Sequence, residues 1–167
     1  CLGHPQQQGE YHHHVSPTCL YNDLDSVEHS PIIGYAFDGF PIYGAYAYTN
    51  TNGTGAIKRM QSSYVMNTAT TRSNGPAVGG MYPNGCFIED YTYSAGAGDL
   101  DERNGRFCVT PEYPAGTYAY FVTIDQNRVP QFPYTFFGTY YGVVQPGNTG
   151  PGSGHVTITE VTTVYTG

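Results

Sequence analysis

Apolar and polar residues alternate in short runs, broken by clusters of Gly, Pro and Asn, and a 3.6-residue periodicity is almost absent. Such runs predict strands over 10–15, 32–37, 41–46, 87–93, 116–124 and 134–137. The clearest is Thr117-Tyr118-Ala119-Tyr120-Phe121-Val122-Thr123-Ile124, whose aromatic and β-branched residues suit a strand buried on both faces. One short helical turn is predicted near residues 57–61. Residues 50–55 and 68–80 read as loops, the second long enough to expect mobility or a binding role. The fold class expected from these elements is all-β, a sandwich or jelly-roll-like body with long loops.

The end of the chain follows another pattern. A Gly- and Pro-rich stretch, residues 143–154, offers no side chain able to anchor a core. Residues 155–167 then read as one β-branched strand, with Val156, Ile158 and Val164 facing one way and Val161 and Tyr165 the other. The organisation expected is a body over residues 1–142, a tether over 143–154 and an extension strand over 155–167. Ordering backbone costs roughly 1–2 kcal/mol per residue, which a lone strand does not recover, so this segment needs a sheet to join. That sheet belongs either to the same chain or to a neighbour.

Composition narrows the function classes. Charged residues make up only 11% of the 167 residues, and the net charge is −7. An acidic chain lacks the basic face that nucleic acid or anionic lipid requires. No apolar run approaches the ~20 residues of a membrane-spanning helix. The chain has 17 Tyr and 22 Gly but one lysine, Lys58, a composition suited to durable extracellular material. Without an initiator Met or a leader, the sequence is expected to be a processed form or a fragment.

The cysteines are Cys1, Cys19, Cys86 and Cys108, with no CxxC pair of the kind that builds zinc ribbons. An even count points to disulfides in an oxidising compartment. Three pairings are open. Cys1–Cys19 and Cys86–Cys108 are favoured, because each closes a loop of about 20 residues, worth roughly 3 kcal/mol in chain entropy. A lipid on Cys1 is the competing use of that residue, and it would orphan Cys19. Asn52-Gly53-Thr54 is a glycosylation sequon in a loop.

Two constellations carry metal chemistry. In Tyr11-His12-His13-His14, strand alternation puts His12 and His14 on one side. Two imidazoles at i, i+2 chelate one ion when a third ligand approaches. His29 and His4 are the available extras, and His12, His14 and His29 form the expected set. Asp38, expected to be the buried acid of an aromatic strand pair, would either orient a bound histidine or satisfy backbone amides in a tight turn. Imidazole donors favour copper or zinc. Asp99 and Asp101, with Glu102 and Asn104 before Gly105, form a partial calcium-loop pattern. The competing reading is a turn stabilised by these side chains, with Asp99 or Asp101 bonded to Arg106. No GxSxG elbow or HExxH helix is present, so nothing selects an enzyme.

Beyond the histidines, the chain carries Pro17-Thr18-Cys19-Leu20-Tyr21 and the block from His29-Ser30-Pro31 to Pro41-Ile42-Tyr43-Gly44. Further on come Asn104-Gly105-Arg106-Phe107-Cys108 and Phe132-Pro133-Tyr134. With Tyr11–His14 these blocks resemble the YHYH-domain family over nearly the whole body. The resemblance implies a secreted microbial protein and supplies fold rather than function. The chain departs from the pattern at His13, where the motif has a second Tyr, and at Arg103, where a Cys usually stands. Cys86 is an addition, which favours its pairing with Cys108. Two functions are therefore expected. The first is a structural subunit of an extracellular helical fibre, a homopolymer that donates its last strand to a neighbour's sheet. The alternative is a secreted or periplasmic domain binding a transition metal at the histidine cluster.

Overall fold

The computed structural model describes residues 3–5, 7, 9, 11–15, 19–22 and 27–146. The expected extension strand, with Val156, Ile158, Val161, Val164 and Tyr165, lies outside the described residues, as does Cys1. The described chain is all-β, with four small sheets and a single 3-10 turn, Ile88–Asp90.

The centre is a four-stranded mixed sheet. Its strands are β3 (Ile32–Tyr35), β4 (Pro41–Tyr43), β9 (Gly105–Cys108) and β10 (Thr117–Phe121), in the order β3-β4-β10-β9. β10 runs parallel to β4 and antiparallel to β9. Its two neighbours and its alternation bury it on both faces, as its sequence predicts. Ala119 and Phe121 point into a cluster with Tyr43, Ala47, Met60, Leu100 and Cys108. Tyr118 and Tyr120 point the other way, against Ala36 and the half-buried Phe40, Ile42, Phe136 and Tyr140. Removing this much aromatic surface from water at ~25 cal/mol per Å² makes β10 the keystone of the body.

Three two-stranded ribbons surround this sheet. β1 (Gly3–Pro5) pairs with β2 (Tyr11–His13), β5 (Tyr46–Tyr48) with β6 (Ile57–Arg59), and β7 (Tyr64–Met66) with β8 (Tyr91–Tyr93), all antiparallel. Residues 57–61 are therefore not a helical turn. The helix-forming Lys58 and Arg59 are captured by register with Ala47 and Tyr46. The run expected over 41–46 is cut in two at Gly44, where a Cβ would sit 2.5 Å from the Tyr21 ring and 2.8 Å from the Ser30 side chain. Close packing there demands glycine and ends β4.

Residues 68–80 are held rather than loose. Arg72 and Asp90, both almost completely buried, pair through Nε–Oδ1 at 2.6 Å and Nη2–Oδ2 at 2.8 Å. Arg72 also donates to the carbonyls of Pro76 and Pro83, and it lies over the Phe87 ring at 4.5 Å. A bidentate guanidinium with further carbonyl acceptors satisfies most of its donors and ties the loop to the 3-10 turn. That turn replaces the first half of the strand expected over 87–93, because Asp90 folds back to accept from the Gly85 and Phe87 amides.

The body runs on through Gly142. The Tyr141 ring stacks on Tyr118 at 3.8 Å and 3°, and the Tyr141 amide donates to the Tyr120 hydroxyl. The Gly142 amide donates to Asp38 Oδ2 at 2.9 Å.

Candidate metal centre

The hairpin β1–β2 sets His4 directly opposite His12, because Gly3 faces His13 and Pro5 faces Tyr11. Cross-strand partners share one face of an antiparallel pair. His14, two residues beyond His12, lies on that face too. The three ring centroids are 4.6 Å (His4–His12), 4.8 Å (His4–His14) and 4.9 Å (His12–His14) apart. One ligand-capable nitrogen from each ring lies within 4.8 Å of the others. Among the described residues this is the one group of three or more His, Cys, Asp or Glu side chains placed to hold an ion.

Local bonding fixes one of the three rings. His4 Nδ1 is 3.0 Å from the Pro5 carbonyl, an acceptor only, so Nδ1 carries the proton and donates it. Nε2 is then the nitrogen with a lone pair to offer a metal. His4 and His14 are exposed and His12 is half-buried. Nitrogens bound to one zinc at about 2.0–2.1 Å stand roughly 3.3 Å apart, so small rotations of exposed side chains would close the ring around an ion. His13 faces the opposite side, beside Tyr11 at 5.3 Å and 81°.

The structure changes the expected ligand set. His29 is absent from this group and belongs to the main core instead. Its ring meets Tyr43 edge-on at 4.9 Å and lies 5.3 Å from Tyr48. Nδ1 donates to the Ser30 carbonyl at 2.7 Å, and buried Nε2 has no hydrogen-bond partner among the described residues. Burial lowers its pKa below the ordinary histidine value, partly offset by the Ser30 carbonyl, so the ring is held neutral.

Asp38 is a structural tie. It is half-buried, and it accepts from the Tyr120 hydroxyl at 2.7 Å and from the Phe40 and Gly142 amides. The buried acid is Asp90, at the end of the 3-10 turn. The Arg72 guanidinium holds its carboxyl far below the usual carboxylate range.

Asp99 and Asp101 do not converge on a shared ligand position. Asp99 pairs with Lys58 at 2.8 Å and accepts from the Gln61 amide. Asp101 Oδ1 accepts from the Arg103 amide, the Gly105 amide and the Tyr118 hydroxyl. Both shape turns, so the calcium pattern is satisfied from within the protein. Arg106 serves neither carboxylate: its Nη2 donates to the Tyr48 carbonyl and its guanidinium lies 5.6 Å from the Phe121 ring.

The cysteines divide unevenly. Cys19 is disulfide-bonded, and Cys1, to which the spacing assigns it, lies outside the described residues. Cys86 and Cys108 are both free thiols, which corrects the expected second bridge. Cys86 is exposed beside the 3-10 turn, whereas Cys108 is packed into the cluster under β10, where burial raises its pKa. Asn52 is exposed at a loop tip, and its Oδ1 accepts from the Thr54 hydroxyl at 2.6 Å.

His4 was the member of this cluster hardest to select from sequence. Gly3-His4-Pro5 contains no strand former, and only the hairpin register brings it to His12. Arg72–Asp90 was hidden for the same reason: 18 residues separate two side chains that meet in space.

No curated protein and no solved structure matches this chain. A family model described as YHYH protein matches residues 1–134, which include the histidine hairpin and all ten strands found among the described residues. The chain belongs to the YHYH protein family.

Proposed function

We propose that the protein binds a copper or zinc ion through His4, His12 and His14. The observation that carries this reading is the cross-strand register, which gathers three imidazole nitrogens within 4.8 Å on one accessible face. Neutral imidazoles match the preference of both metals, and three protein ligands leave a position open for water or a partner ligand. The net charge of −7 favours accumulation of cations near the surface. Metal analysis of protein loaded with zinc or copper and then dialysed tests the reading. One ion per chain is expected, with loss of the ion in His12→Ala at unchanged fold. Metal-free wild type, or equal loading of the variant, overturns it.

A second reading concerns assembly outside the cell. We propose that residues 155–167 add as a strand to a neighbour's sheet and build an extracellular fibre. Its support is the central sheet, where β3 and β9 each have one strand neighbour among the described residues. Tyr35 on β3 and Phe107 on β9 are exposed, giving a donated strand side chains to cover. Electron microscopy of the full chain and of a chain lacking residues 155–167 tests this. Fibres from the first and soluble folded monomers from the second are expected; a misfolded truncated chain would show that the strand closes its own sheet.

A further inference from the structure

One cavity shares no lining residue with the histidine cluster. It holds about 500 Å³, within the roughly 300–1,000 Å³ of small-molecule pockets. One wall is aromatic: Tyr91 and Phe132 stack with centroids 4.4 Å apart and planes 11° apart, and Tyr64 meets Phe132 edge-on at 5.2 Å. The rest of the lining mixes three apolar side chains, Met60, Met66 and Ile124, with the amides of Gln61, Gln126 and Gln131, the hydroxyls of Ser62 and Thr123 and the charged pair Arg59 and Asp125.

Gln131, Ser62 and Thr123 already bond within the protein, but other polar groups of the lining are available. The side-chain amides of Gln61 and Gln126 are exposed and make no hydrogen bond among the described residues. Asp125 uses Oδ1 to accept from the Asn127 and Val129 amides, which fixes the direction of the carboxylate and leaves Oδ2 with no partner among the described residues. Arg59 donates from Nη2 to the Tyr46 hydroxyl, while its buried Nε has no partner. One cation and one anion line the cavity, so it carries no net charge within a protein of net charge −7.

This combination selects a ligand chemistry. A charged ligand would find no excess of opposite charge. A purely apolar ligand would desolvate the amides and Asp125 without replacing their hydrogen bonds, a costly exchange. A pyranose meets both demands: its hydroxyls donate to and accept from amides and carboxylate, and its axial C–H face rests on the negative face of an aromatic ring. We propose that this cavity is a binding site for a neutral saccharide.

The test uses the full-length protein titrated with cellobiose, maltose and N,N′-diacetylchitobiose, and with adenosine as a flat, neutral aromatic competitor, followed by calorimetry and by backbone NMR shifts. At least one disaccharide is expected to bind with micromolar to millimolar affinity and to move the resonances around Gln61, Tyr91 and Gln126. Gln61→Ala and Gln126→Ala remove exposed side chains without internal bonds, so their folds persist. Each is expected to weaken that sugar by about three- to tenfold, the range for one lost neutral hydrogen bond. Phe132→Leu, which keeps apolar volume but loses the ring, is expected to weaken it further. The proposal is overturned if no disaccharide binds, if the glutamine variants bind as tightly as wild type, or if adenosine binds more tightly than every sugar.

Discussion

β10 and the β1–β2 hairpin use the same alternation of side chains to opposite ends. On β10 both faces are buried, so Tyr118 and Tyr120 on one side and Ala119 and Phe121 on the other all serve stability. On the hairpin one face carries His4, His12 and His14, two of them exposed, and it forms no part of the three core clusters. A strand in the middle of a sheet spends its pattern on packing. A peripheral three-residue ribbon outside the core clusters contributes little to stability, and its histidines lie at an accessible surface. Changes to β10 should therefore lower stability, and changes to the hairpin should alter the proposed metal binding with little effect on stability.

The sharpest way to break that comparison is Phe121→Ala. Phe121 is fully buried, stacks on Tyr43 at 5.6 Å and closes the cluster beneath β10, so truncation is expected to cost about 3–5 kcal/mol in denaturant unfolding. A loss below 1 kcal/mol would mean that β10 is not the keystone. Asn104→Ala follows in size. Asn104 holds a left-handed backbone at φ 61°, and its amide donates to the carbonyls of Phe121 and Thr135. Removing it strands buried acceptors and places alanine where left-handed geometry is unfavourable, at a cost of about 2–3 kcal/mol in the same assay.

Acid provides the third contrast, and its sign follows from two lowered pKa values. His29 is kept neutral by burial, so the unfolded chain takes up the proton first, and its contribution is present above about pH 6.5 and lost as pH falls below that value. Asp90 is held ionised by Arg72, so its contribution is present above about pH 3.9 and lost as pH falls further. Thermal unfolding against pH is expected to fall in two stages. His29→Gln should flatten the first stage and Asp90→Asn the second. The smallest effect belongs to the hairpin: without metal, His12→Ala is expected to change stability by less than about 0.5 kcal/mol, as for surface substitutions generally.

The same division explains what was legible in the sequence. β10 was legible because eight consecutive aromatic, alanine and β-branched residues leave few alternatives to a buried strand. β9 was not, since Gly105-Arg106-Phe107-Cys108 reads as a turn followed by mixed polarity until Thr117–Tyr120 pairs with it. His12 and His14 were legible because their spacing is local. Their third partner was decided by register across a turn, so His29, which neighbours Pro31 and the core strands, stood in its place. For Asp99, Asp101 and Asp38 the sequence leaves a ligand role and a turn role open, and the fold takes the second. Carboxylates that read as ligands are consumed by Lys58, by backbone amides and by tyrosine hydroxyls once the chain folds. Cysteine spacing likewise suggested a loop closure that the burial of Cys108 does not supply.

The most direct test of the hairpin as a metal centre is a calorimetric titration of zinc into wild type, His4→Ala and His29→Gln. The account predicts one ion per chain for wild type, unchanged affinity for His29→Gln and at least about a 100-fold loss for His4→Ala, since losing a ligand should exceed the 10–100-fold cost of losing an outer-shell partner. Wild-type affinity in His4→Ala, or loss of binding in His29→Gln alone, would contradict it.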